Sequence, residues 1–342
     1  MREFQGEVFE GAERFLNSAT YGLPSRRQSE ALHAALRQWE LGELVPSDFD
    51  ASVAAARQAF AAMAGVEASS VSMGGSVSSL LGLVAAALPD GTRVATFTGE
   101  FTSVSAPFAE QGDRGVTVTP LDPGELERRA GEFDVVSVSL VQSSDGRVLD
   151  VTTLRAAVAG TKTRVILDVT QAMGWMRLDT AWADVVVGGS YKWLLSPRGA
   201  AWMHLAPSLA DELTAHAANW YSSETPWSNT YALPSLQAPD ARRLDASPAW
   251  FTLLGAGIAM PWLASLDATA VQEHCIGLAN RVRSELGLPP GDSAILALDA
   301  PDAAGRLADA GIRAAVRAGR VRVSFHLYNT DDDVDALLTA LA

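Results

Sequence analysis

Six short runs of β-branched and small apolar residues alternate with alanine-rich stretches of helical spacing, and this alternation constrains the fold of the 342-residue chain more than any other feature. The runs are RVATFTG, GVTVTPL, VVSVSLV, RVILDVT, VVVGGS and AAWMHL. Apolar residues at i, i+3 and i+4 mark helices at 27–40, 51–64, 77–88, 152–159, 207–218, 269–286, 302–311 and 332–341. Near-continuous apolar strands separated by helices require a mostly parallel sheet with both faces covered, which is the α/β class. After about residue 235 long helices dominate, and VRVSFHLY alternates with period two, as a half-exposed strand of a smaller α+β unit does. The expected division is a large domain over 41–235 and a small one built from 1–40 with 236–342.

Charge and composition narrow the function. The chain carries 26 Lys and Arg against 40 Asp and Glu, a net charge of −14. Nucleic acid and anionic membrane surfaces are therefore excluded as main partners. A phosphate held locally by backbone donors remains open. A single cysteine, Cys275, leaves no intrachain disulfide, and none of the five histidines stands in a zinc-ligand spacing. No apolar run reaches the roughly 18 residues of a membrane span. The start, MREFQGEVFEGAERF, is too acidic and polar for a secretory signal, so a cytoplasmic protein is expected.

In open parallel sheets ligands sit at the carboxyl ends of strands. VILDVTQAMG places Asp168 at such an end, with Gln171 in the loop that follows, and VVVGGSYK places Lys192 just after another strand. Read alone, the pair is a structural ion pair as readily as a site. VSMGGSVSSLLGLVAAAL adds a Gly-Gly-Ser loop that runs into an apolar helix. Gly74 and Gly75 permit close backbone approach, and Ser76 can cap the helix. Alone, this too is only a capped turn; it is neither a Walker loop nor GxGxxG. Together, a lysine, a strand-end carboxylate and an anion cradle on one sheet edge suit pyridoxal 5'-phosphate (PLP). The amine would bond the aldehyde, the acid would keep the pyridine nitrogen protonated, and the phosphate would anchor the ring.

LDVTQAMG, GGSYKWLLSPRG and VRVSFHLYNTDDDVD together resemble the class V aminotransferase family of fold type I PLP enzymes, which includes cysteine desulfurases, kynureninase and isopenicillin N epimerase-like proteins. FLNSATYG and ARRLDASPAW match the same pattern, so the resemblance spans nearly the whole chain. It implies that Lys192 holds PLP, that Asp168 pairs with the pyridine nitrogen and that Gln171 bonds the ring's phenolic oxygen. It implies a phosphate cradle of Gly75, Ser76 and the Val77 backbone, with the Ser190 hydroxyl added. Ser247, in DASP, matches a residue that reaches the phosphate of the other subunit, which implies a homodimer with shared active sites. Arg322 would clamp the substrate α-carboxylate, a task for its bidentate fork, rather than sit in a surface ion pair. Asn17, in FLNSATYG, falls on the substrate side. Phe101 stands where relatives stack a ring on the cofactor, and plain core packing is an equal alternative. Ser143 stands where many relatives have Asn.

The segment before Arg322, GIRAAVRAGRVRVS, has neither the cysteine nor the loop of a desulfurase. Arg317 there either faces solvent or reads a second anionic group. The aromatic segment 219–235 suits a dimer interface or a substrate pocket. The resemblance implies an enzyme acting at the α-carbon of an amino acid, with transamination first and C–S lyase or epimerase chemistry as alternatives. A non-catalytic binding protein of the same fold is the rival class, and retention of Asp168, Gln171 and Lys192 together argues against it.

Overall fold

The computed structural model describes residues 1–231, 233–300 and 302–342. A short hairpin of β1 (Arg2–Phe4) and β2 (Glu7–Phe9) precedes α1 (Arg26–Leu41) and α2 (Asp50–Ala64). There follow β3 (Val71–Gly74), α3 (Val77–Ala87), β4 (Arg93–Phe97), α4 (Thr102–Ala109), β5 (Thr117–Leu121), α5 (Glu125–Arg129), β6 (Val135–Ser139), α6 (Val151–Val158), β7 (Arg164–Asp168), β8 (Val185–Gly189), β9 (Ala201–Leu205) and α7 (Pro207–Ala210). The last third holds α8 (Trp250–Ala264), α9 (Ala268–Glu285), β10 (Ile295–Leu298), α10 (Ala303–Asp309), β11 (Ala315–Arg317), β12 (Arg320–Ser324) and α11 (Asp331–Leu341).

Seven strands form one sheet in the order β3-β9-β8-β7-β6-β4-β5. Its pairs are parallel except those of β9, which runs against both β8 and β3. Alternate side chains of the strands enter two different cores, as a sheet covered on both faces requires. Val135, Ile166, Val185 and Val187 pack with Leu80 and Val84 of α3. Val136, Val165, Leu167 and Val186 pack with Phe60 of α2 and Met260 of α8. The α/β class is thereby realised.

Strand β3 is an element that the apolar runs do not reveal, because it spans only four residues. It stays buried at the sheet edge because its free side is covered. Asp245 accepts from Met73 N at 2.8 Å, Ala246 N donates to Met73 O at 2.9 Å, and Arg57 Nη1 donates to Val71 O. Arg57 and Asp245 also pair with each other through a two-pronged contact, and both are almost fully buried.

The helix expected over 207–218 ends at Ala210. Leu209 and Leu213 keep the helical spacing and both reach the core, but beyond Ala210 the chain closes short turns such as Leu213 N to Ala210 O, and Arg243 donates to the carbonyls of Ala210 and Leu213.

The smaller antiparallel sheet, β10-β12-β11, packs Val321 and Val323 against apolar residues of α9, α10 and α11. Phe15 and Asn17 form bridges to Arg313 and Ser324 at this sheet's side. Helix α8 lies instead along α2, so closely that a Cβ on Gly257 would stand 2.6 Å from Ser52 Cα.

Removing the charge of Asp245 leaves a buried guanidinium without its counter-ion. We expect Asp245→Asn to lower the unfolding free energy by about 3–5 kcal/mol, read from a urea midpoint. An unchanged midpoint would show that the Arg57–Asp245 contact does not hold the sheet edge.

Candidate active site

Strands β7 and β8 are parallel neighbours, and they end side by side at Asp168 and Gly189. Thr170 Oγ1 accepts from Gly189 N at 2.9 Å and so ties the two strand ends together. The lysine loop is held from several sides. Ser190 N and Oγ both donate to Ala200 O, Ser196 N donates to Ser190 O, and Gly22 N donates to Tyr191 O at 2.9 Å. Gly22 cannot be larger: a Cβ there would lie 2.1 Å from Lys192 O. FLNSATYG is thus folded directly onto the lysine turn.

Lys192 is 5% exposed, and its Nζ makes no hydrogen bond among the described residues. The ammonium lies 5.3 Å from the Phe101 ring centroid and 5.6 Å from that of Tyr191. Burial draws its pKa down from 10.5 to about 8; Asp168 opposes this, and Arg322, Arg317 and Arg198 add to it. Asp168, 4% exposed, is pushed up to about 6 by burial, against hydrogen bonds from Thr170 and the attraction of Lys192. Its Oδ1 accepts from Thr170 N at 2.7 Å, which fixes the carboxylate's direction.

These groups line a cleft together with Gly75, Ser76, Val77, Phe101, Ser143 and Gln171. At one end stands the N-terminus of α3. Ser76 Oγ accepts from Ser79 N at 3.1 Å, and the N–H groups of Val77 and Ser78 lie outside the helix's own ladder. Such an end attracts an anion. The two glycines differ in what they do. A Cβ on Gly74 would strike Leu80 at 2.8 Å, whereas a Cβ on Gly75 would meet nothing within 4 Å and simply occupy the cleft.

Gln171 is held on all its polar atoms. Nε2 donates to Ala19 O and Ser143 Oγ, and Oε1 accepts from Trp193 Nε1 at 2.8 Å. To bond a ring oxygen it must release Ser143. Arg322, on β12, is 1% exposed. Its fork donates to Ser143 O and Oγ and, at 2.8 Å, to Thr20 Oγ1, while Nε is buried without a partner among the described residues. A surface ion pair is not what it makes. Burial, and then Arg317, lower its pKa to about 10. Asn17 lies half-buried nearby in chain, its Oδ1 likewise unpartnered.

Other expected residues fall elsewhere. Ser190 is fully buried, its hydroxyl spent on Ala200 O, and it does not line the cleft, because the loop uses that hydroxyl to hold its own turn. Ser247 is exposed and outside the cleft of its own chain. Phe101 is 43% exposed with its ring toward Lys192, so it is not core. Trp220, Tyr221 and Trp227 gather away from the cleft; Tyr221 and Trp227 both donate to Asp50. Ala232 of that segment lies outside the described residues. Cys275 is buried, and burial pushes its thiol up, as in an inert packed cysteine. The cleft also contains Ser78, Ser103, Thr170, Tyr191 and Arg198, which sequence reasoning did not single out. Tyr191 and Arg198 stood inside the quoted motif; Ser103 carried no signal.

The amine without a hydrogen bond, the directed carboxylate and the open space at Gly75 fit PLP on chemical grounds. Residues 47–300 match the family described as Aminotransferase class-V. The chain belongs to this family. It is 26% identical over 310 residues to an uncharacterized aminotransferase, YcbU, of Bacillus subtilis (strain 168), covering 84% of this chain and 82% of that protein. It is 25% identical over 263 residues to isopenicillin N epimerase of Streptomyces clavuligerus, covering 65% and 64%. In fold it is similar to the cystine C-S lyase C-DES, with a TM-score of 0.83, 17% identity and 97% of each chain covered. This class-V chain is a PLP-dependent enzyme that acts on amino acids.

Only the neutral amine of Lys192 attacks an aldehyde. The rate at which cofactor-free protein captures PLP should therefore rise with pH and level off above about 8. A rate still climbing toward 10.5 would mean that burial does not tune this lysine.

Proposed function

We propose that the enzyme transaminates, with Lys192 as the one base that serves the substrate α-carbon. The observation that carries this reading is the Lys192 amine, buried in the cleft and drawn to a pKa of about 8. PLP, when bound, supplies an electron sink for the pair left when a bond to the α-carbon breaks. Lys192 would hold the cofactor and, once the substrate's own amine has replaced it there, its Nζ would take the α-proton and deliver it to the carbon that had been the cofactor's aldehyde. Asp168, aimed by Thr170 N, would keep a proton on the pyridine nitrogen. Arg322 orients the substrate through its α-carboxylate, and Ser143 and Thr20 keep the guanidinium in place.

Phe101, beside Lys192, carries no proton, and burial raises the pKa of Tyr191 further from neutrality. A single nearby base suits a proton passed along one face from the α-carbon to the cofactor. That favours transamination over two-base epimerisation, the activity named for the Streptomyces relative. Lyase chemistry, as named for C-DES, is the second reading, since it needs the same base and departs only in the leaving group.

The working unit in this reading is a homodimer in the cytoplasm. Ser247 is exposed and outside its own chain's cleft, which supports a role toward a second copy, and Tyr231, Leu233 and Leu236 are exposed apolar side chains that a second copy would cover. No single helix among the described residues is long and apolar enough to cross a membrane.

Purified protein should show a visible absorption band from lysine-bound cofactor that disappears in Lys192→Ala. A wild-type protein that takes up no PLP would overturn the cofactor assignment. Amino acids should yield keto acid with the nitrogen kept on the cofactor; ammonia release would point to the lyase, and change of configuration alone to the epimerase. Arg322→Ala should weaken amino-acid binding by roughly 30- to 700-fold, about 2–4 kcal/mol, with cofactor binding little changed. Unchanged spectral titrations in that variant would remove the clamp.

A further inference from the structure

We propose that the substrate carries two anionic groups, an α-carboxylate met by Arg322 and a distal one met by Arg317, so that this is a site for acidic amino acids. This rests on the reading of Arg322 as the α-carboxylate clamp.

The argument begins with the hairpin. Strands β11 and β12 turn on Ala318 and Gly319, whose φ angles of 47° and 77° make a tight two-residue reversal. The reversal sets Arg317 opposite Arg320 and Ala315 opposite Arg322. The two outer arginines then converge. Arg322 Nη2 donates to Thr20 Oγ1 at 2.8 Å, and Arg317 Nη2 approaches the same oxygen at 3.4 Å.

One neutral hydroxyl thus stands between two guanidinium groups. Among the described residues neither has a carboxylate within ion-pair distance, whereas Arg320 on the same hairpin leans toward Asp145 at 3.8 Å and Asp299 at 4.0 Å. The chain as a whole has 40 acidic side chains, so this unpaired arrangement is a local feature that the composition does not favour. The charge is felt by its neighbours: Arg317 lowers the pKa of both Arg322 and Lys192. Arg322 also keeps a buried Nε with no partner among the described residues.

A single α-carboxylate neutralises one fork and leaves its neighbour repelled. A second carboxylate, sulfinate or phosphate on the same molecule satisfies both, and it gives the exposed Arg317 a charged bidentate partner where it now has only neutral ones, the adjacent Val316 carbonyl at 2.8 Å and the Thr20 hydroxyl at 3.4 Å. Arg317 and Arg322 stand behind Ser143 and Thr20 rather than in the lining of the cleft, whereas the exposed Arg198 lines it and stacks on the Tyr191 ring at 5.1 Å. Arg198 is the control for a charge effect that is not local to Arg317.

The test uses PLP-loaded protein at low salt and carboxylic acids that lack an amine, so that no covalent step intervenes. Calorimetric Kd values are measured for butyrate and for malonate, succinate and glutarate. At least one dicarboxylate should bind about tenfold more tightly than butyrate, as a charge-assisted contact provides. In Arg317→Gln this ratio should fall to within about twofold, and in Arg198→Gln it should persist. The inference is overturned if no dicarboxylate exceeds butyrate, if the preference survives in Arg317→Gln, or if Arg198→Gln removes it equally. Borohydride reduction followed by peptide mass analysis at Lys192 reads the cofactor separately. An adduct without the preference leaves the PLP reading standing and sinks this one; the preference without an adduct does the reverse.

Discussion

A lysine buried to 5% exposure, whose amine makes no hydrogen bond among the described residues, is the constraint around which this chain is arranged. Left alone in a low-dielectric site, an ammonium is costly, and the usual outcome is loss of its proton. Here Asp168 opposes that loss and three arginines promote it, so the group settles near 8 rather than at either extreme. The same balance suits it to the proposed roles of nucleophile and base. The fold must then supply rigidity, because an off-position lysine would simply find water. The hydrogen bonds of Ser190, Ser196 and Gly22 around the turn do so, and they explain why Ser190 stays with the loop instead of facing the cleft.

The architecture was legible because its signals are long or repeated. Five of the six apolar runs became strands of the parallel set, and the sixth, AAWMHL, became β9. Sequence cannot show that β9 runs backwards, since orientation depends on which connections are short. Strand β3 was missed because four residues carry no periodicity, and its place depends on Asp245 and Arg57, which come from distant parts of the chain. The helix assigned to 207–218 failed for a related reason: two leucines in phase look like a helix, but the chain beyond Ala210 closes short turns and the distant Arg243 donates to the carbonyls.

At the site, residues next to strand ends could be found by position alone, as Asp168, Gln171 and Lys192 were. Contacts that join separate elements could not. Thr20 is an ordinary threonine in the sequence, yet it receives two guanidinium groups. Ser143 supports Gln171 and Arg322 at once, so a change there would disturb both the loop after β7 and strand β12.

The path of residues 15–22 has a consequence for how the protein folds. Leu16 N bonds Arg313 O, Ser324 N bonds Leu16 O, and Asn329 Nδ2 bonds Phe15 O, while Gly22 closes on the lysine turn. This one segment is therefore held by two distant parts of the chain, the lysine turn of the large sheet and the small sheet with the turn that follows it. Contacts of such long sequence separation close late in folding, so the pocket is completed only when both parts have formed and residues 15–22 join them.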